Sequence, residues 1–133
     1  MKKIYLILVL VILLAFSSCS LNSLSPERIT TDAVTMHYNN ISYSLVLEDE
    51  DIVKEITAFY NTLKLKKVNK ELDFSSTINI VFYENKKEKA VLAVDKNGLI
   101  YLYRDTDNVY KVVNKNFNYE HLEEIYETYK DKQ

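Results

Sequence analysis

The chain has 133 residues, of which 47% are hydrophobic and 27% charged, a globular balance that excludes both a disordered polymer and a multi-span membrane protein. Its 17 Lys plus Arg stand against 19 Asp plus Glu. It therefore lacks the clustered positive charge from which nucleic-acid affinity comes, and it offers anionic lipid surfaces little overall attraction.

The first residues have the three-part organisation of an export signal. Lys2 and Lys3 form a basic start, Ile4 to Phe16 an unbroken apolar run, and Ser17 and Ser18 a pair of small residues before Cys19. A helix that crosses a bilayer needs roughly 20 apolar residues, and this run is shorter. The segment Phe16-Ser17-Ser18-Cys19 resembles the lipobox of bacterial lipoproteins, with Phe16 where Leu is usual. The resemblance implies cleavage before Cys19 and a diacylglyceryl group in thioether linkage to its sulfur. Two acyl chains, at about 0.8 kcal/mol per buried methylene, hold a protein on a membrane where one chain does so only marginally. Cys19 is the only cysteine, and lipidation accounts for an odd thiol in an exported chain. The expected division is a signal peptide over 1–18, the lipidated cysteine and a tether over 19–29, and one domain over 30–133. Cleavage leaves about 115 residues, enough to bury a two-layer core, and loss of Lys2 and Lys3 lowers the net charge to about −4.

Beyond the tether, β-branched and aromatic residues over 32–38 and 41–47 predict two strands, with Asn39-Asn40 as the tight turn between them. Asp49 reads as an N-cap, after which Ile52, Ile56, Phe59 and Leu63 recur at the spacing of one helix face. Glu50 and Asp51 lie in the first turn and Lys64, Lys66 and Lys67 beyond the end, as the helix dipole favours. Residues 64–76 show little pattern and read as a polar connection.

Strands are expected over 77–83, 89–94, 99–104 and 109–113, forming a meander. Asn97-Gly98 is the strongest hairpin signal and predicts a type I′ turn. Alternation puts Ile78, Ile80 and Phe82 on one face of their strand, and Leu99, Tyr101 and Tyr103 on one face of theirs. The last helix should begin near Asn118, with Phe117 and Leu122 as a hydrophobic staple and Leu122, Ile125, Tyr126 and Tyr129 as its apolar stripe. The fold class that follows is α+β, an antiparallel sheet of about five or six strands with two helices packed on one face.

With the signal cysteine in front, this arrangement resembles the YhfM-like family of small Gram-positive lipoproteins. The residues that carry the resemblance are Tyr43-Ser44-Leu45-Val46-Leu47-Glu48-Asp49, Thr77-Ile78-Asn79-Ile80-Val81-Phe82-Tyr83, and Val109-Tyr110-Lys111-Val112 before the last helix. It covers about residues 30–130, and the Trp expected in a middle strand of such proteins is absent here. It implies a fold and a location and brings no activity with it.

No catalytic constellation is expected. His37 and His121 lack the local spacing of a metal site, the sole thiol is committed to lipid, and one glycine cannot build a phosphate-binding loop. Neither a metal nor another cofactor is expected. The acidic runs Glu48-Asp49-Glu50-Asp51 and Asp105-Thr106-Asp107-Asn108 lack calcium-loop spacing and read as a helix start and a solvated turn. Eleven tyrosines are the most unusual feature, and Tyr101, Tyr103 and Tyr110 fall on adjacent strands, where they could form an aromatic ligand platform. The expected function is a non-enzymatic binding module on the extracellular face of the cell membrane, with a peptide or protein partner. The alternative is an immunity or protease-inhibitor lipoprotein that intercepts a peptide toxin or a protease at the membrane, and a third possibility is a structural component of an envelope complex.

Overall fold

The computed structural model describes residues 23–38, 44–104 and 107–132. The signal segment, Cys19 and the Asn39-Asn40 turn lie outside them.

The strands are β1 (Ala33–Tyr38), β2 (Leu45–Leu47), β3 (Leu65–Val68), β4 (Ile78–Glu84), β5 (Lys87–Val94), β6 (Leu99–Leu102) and β7 (Val109–Val112), with helices α1 (Glu50–Asn61) and α2 (Tyr119–Lys130). The seven strands form one antiparallel sheet in the order β2-β1-β4-β5-β6-β7-β3. The α+β class with two helices is as expected, and the strand count is seven rather than five or six.

The added strand is β3, in the segment that reads as a polar connection. Lys66 and Lys67 hide its alternation, and only Leu65 turns a large buried side chain to the core. The position explains the composition: β3 is an edge strand, and exposed lysines protect an edge against pairing with another chain. Leu24 closes part of that edge by exchanging both backbone hydrogen bonds with Leu65 at 2.8 Å. Residues assigned to a free tether are thus fastened to the domain. Farther along this strap, residues 24–30, Asn61 at the end of α1 accepts from the Ile29 N–H at 2.8 Å and donates to the Ile29 carbonyl at 2.9 Å.

Both helix starts are capped as their sequences require. Asp49 accepts from the Asp51 and Ile52 N–H groups at 3.1 and 3.2 Å, and Asn118 accepts from the His121 N–H at 3.3 Å. The face that α1 buries is centred on Val53, Ile56 and Tyr60, while Ile52 and Phe59 flank it half-buried. Tyr60 sets that rotation by packing on Phe82 with ring centroids 5.0 Å apart. In α2 the stripe of Leu122, Ile125 and Tyr126 is buried as expected, with Tyr119 added and Tyr129 at the margin. Tyr38 meets Tyr126 edge-to-face at 4.9 Å and donates its hydroxyl to Glu123 at 2.9 Å.

The hairpin at Asn97-Gly98 is not the two-residue type I′ turn that its sequence predicts. At β5–β6 the Asn97-Gly98 signal belongs to a three-residue loop, in which Gly98 alone has positive φ, at 72°, and the Gly98 N–H donates to the Asp95 carbonyl. The two-residue turn with positive φ at both positions is Asn85-Lys86, at 52° and 63°, between β4 and β5. Asp95 decides the first case, because its carboxylate accepts from the Asn97 and Leu99 N–H groups and fixes the longer loop.

Candidate functional site

The two faces of the sheet differ in cover. Val34, Met36, Ile78, Ile80, Phe82, Leu92 and Ile100 point into the core that the helices seal. Neither α1 nor α2 packs on the opposite face, whose residues follow from the strand register. One row across it reads Val46, Thr35, Val81 and Val91, and Tyr103 continues it through the hydrogen bond from its N–H to the Val91 carbonyl at 3.2 Å. The next row reads His37, Asn79, Ala93, Tyr101, Val109 and Val68.

A solvated face of an antiparallel sheet ordinarily alternates polar residues outward. Here the middle of the open face is apolar. Tyr101 and Tyr103 meet edge-to-face at 5.5 Å, and the Tyr103 hydroxyl donates to Asn79, itself buried, at 3.1 Å. That bond holds the ring in one orientation while 49% of the residue stays exposed. An aromatic surface with a fixed ring gives up less side-chain entropy when it is covered.

Tyr110 does not join this pair. It is paired with Ile100, and Tyr101 with Val109, so Tyr110 points to the opposite face and is buried in the core. In a strand of period two a single residue of register decides the face. The three-tyrosine platform reduces to Tyr101 and Tyr103. The fourth proposed site residue, Cys19, lies outside the described residues.

His37 sits on the open face beside Asn79. His121 instead links the helices: its Nε2 pairs with Glu55 of α1, and its Nδ1 lies 3.6 Å from Glu124. The Glu55 hydrogen bond raises the His121 pKa above its ordinary value, against the opposing effect of burial. The pair stands at the rim of a cavity of about 330 Å³ between α1 and α2, floored by Phe59, Phe117, Leu122 and Ile125. Phe117 lies 6.0 Å from Phe59. Among the described residues no group of His, Cys, Asp or Glu side chains is arranged to hold a metal ion. In the first acidic run, Asp49 is the cap and Glu50 pairs with Lys54 at 2.6 Å. Asp105 and Thr106 of the second lie outside the described residues.

A larger cavity, about 650 Å³, opens under the strap. Sequence reading misses it because its charged residues come from a presumed tether, a hairpin and a turn. A signal was available: the chain has only two arginines, Arg28 and Arg104, and both line this cavity.

In three comparisons with known proteins, no family model, curated protein or solved structure matches the chain. No helix among the described residues is long and apolar enough to cross a membrane.

Proposed function

We propose that this protein is a lipid-anchored, non-enzymatic binding module that holds an extracellular peptide or protein against the open face of its sheet. One observation carries the binding role: the centre of that face is apolar, with Val81, Val91, Tyr101, Tyr103 and Val109 contiguous and only partly covered. Burying such a patch yields about 25 cal/mol per Å², and contiguous exposed apolar surface on a small domain commonly marks an interaction site. The anchor rests on the run from Ile4 to Phe16 followed by Ser17-Ser18-Cys19.

Site-specific photocrosslinking in intact cells tests both parts. A crosslinker in place of Tyr103 should capture a discrete partner that one in place of Lys132 does not, and Tyr101→Lys should abolish the capture. Equal capture from both positions removes the open face as the contact. Labelling with a palmitate analogue should be lost in Cys19→Ala, and label retained by that variant removes the anchor.

A further inference from the structure

The cavity under the strap has the charge and the walls of an anion site. Residues 26–30 form one wall, the start of β5 and the end of β6 the other, and Ile29, Tyr60, Ala90 and Leu102 supply apolar surface between them. The strap wall is held in place: Asn61 takes both backbone groups of Ile29, and the Thr30 hydroxyl donates to Glu84. The cavity is therefore preformed and does not wait for a ligand to shape it.

Four cations line it, Arg28, Lys87, Lys89 and Arg104, with Glu27 and Glu88 as the only carboxylates among its lining residues. Lys89 is engaged by Glu84 at 2.8 Å. Neither arginine is in an ion pair among the described residues. Setting Lys89 aside, three cations face two carboxylates, a local positive excess on a chain whose total charge is −2. Tyr60 shows that these charges reach inward: its phenol, raised mainly by burial, is also lowered by Arg104 and raised by Glu27.

We propose that this cavity binds a phosphate ester, with Arg28 and Arg104 on the phosphate oxygens and the apolar part of the ester on Tyr60, Ala90 and Leu102. Two guanidinium forks arriving from separate elements suit a tetrahedral phosphate, which offers oxygens in several directions. A carboxylate is satisfied by a single planar fork. Lys87, at the start of β5, adds a point charge to the same group. The site is bounded by α1 and the strap, and shares only Val91 with the open face. The phosphate can belong to a soluble ester or to a lipid headgroup. Leu24, where the strap joins the sheet, is five residues from Cys19, within about 18 Å of extended chain.

Titration of the full mature chain with glycerol 3-phosphate, followed by NMR at constant ionic strength, tests the proposal. Saturable shifts are expected at the Arg28 and Arg104 side-chain N–H groups and at the Ile29 and Ala90 amides. The double variant Arg28→Gln/Arg104→Gln should weaken binding at least tenfold with its thermal midpoint unchanged, since both side chains are exposed. Arg104→Lys, which keeps the charge and loses the fork, should fall between. Shifts no larger than those from sodium chloride of equal ionic strength, or equal shifts in the double variant, overturn the site. Vesicles of phosphatidylglycerol that compete with the soluble ester identify a headgroup as occupant, and failure to compete identifies a soluble ester. Either result upholds the pocket provided the double variant weakens binding at least tenfold.

Discussion

The carboxylate of Asp95 accepts the backbone N–H of Asp73, 22 residues earlier in the chain, at 2.9 Å. The same side chain also takes the N–H groups of Asn97 and Leu99, each at 2.9 Å, and the residue is fully buried. One carboxylate thus ties the β5–β6 loop to the segment between β3 and β4.

Asp95→Ala should be among the most damaging single changes in the chain. It leaves three N–H donors without their acceptor, and each buried donor left unmade costs about 1–3 kcal/mol. A loss of roughly 3 kcal/mol is expected once water reaches part of the opened site. Urea denaturation checks this, and a change below about 1 kcal/mol would remove Asp95 as the hub of that end of the sheet.

Asp73 gives that region a pH dependence on the acid side. Hydrogen bonds from Ser75 first, and then from Lys96, hold its carboxyl at about 2, below the ordinary 3.8. A depressed folded-state value means that the stabilisation is present above about pH 4 and is lost as pH falls toward 2. Carboxyl NMR titration should place Asp73 near 2, and Ser75→Ala should move it upward. An unchanged titration in that variant would contradict the assigned cause.

His121 works in the opposite direction. Its raised value, caused chiefly by Glu55, means that the α1–α2 contact is fully favourable below about pH 6.5 and is lost as pH rises through the raised value. Both partners are nearly half exposed, so the contribution should be under about 1 kcal/mol. Glu55→Gln should destabilise the protein at pH 6 and have little effect at pH 9. Equal destabilisation at both pH values would show that charge plays no part.

Lys86 occupies a left-handed backbone position at φ 63°, where a residue with a Cβ is disfavoured by roughly 1–2 kcal/mol. Glycine is the preferred residue at this second turn position, although its unfolded state is more flexible. Lys86→Gly should therefore raise stability by about 0.5–1 kcal/mol. The complementary change, Gly98→Ala, should lower it, since φ is 72° and an added Cβ would lie 3.2 Å from the Phe117 ring. Paired thermal melts check both signs.

The legible parts of this fold are those where local pattern and tertiary environment agree. Asp49 and Asn118 cap their helices because short polar side chains before apolar periodicity leave few alternatives. The alternation of Ile78, Ile80 and Phe82 on β4, a central strand, marks the side that turns to the core. Sequence pattern loses force where partners are distant. β3 is a strand because Leu65 finds Val112 and Leu24, contacts that the Lys66-Lys67 pair does not announce. Tyr110 leaves the tyrosine platform because β6 and β7 align with Ile100 opposite Tyr110, and nothing local to either strand sets that register. The cavity under the strap is hidden for the same reason, since Arg28 and Arg104 come to line one cavity only through the path of the whole chain.

The attachments of the strap also set the mechanics of the domain. Tension arriving from the amino-terminal side first meets the Leu24–Leu65 bridge, two hydrogen bonds on an edge strand that a pull can peel apart one after the other. Beyond it come the Asn61 amide, with its two bonds to Ile29, the Thr30 hydroxyl on Glu84, and the Asp32 N–H on the Tyr83 carbonyl. Loss of these few bonds would free the wall of the cavity without removing any pairing among the seven strands, so the pocket and the sheet rest on separate sets of contacts.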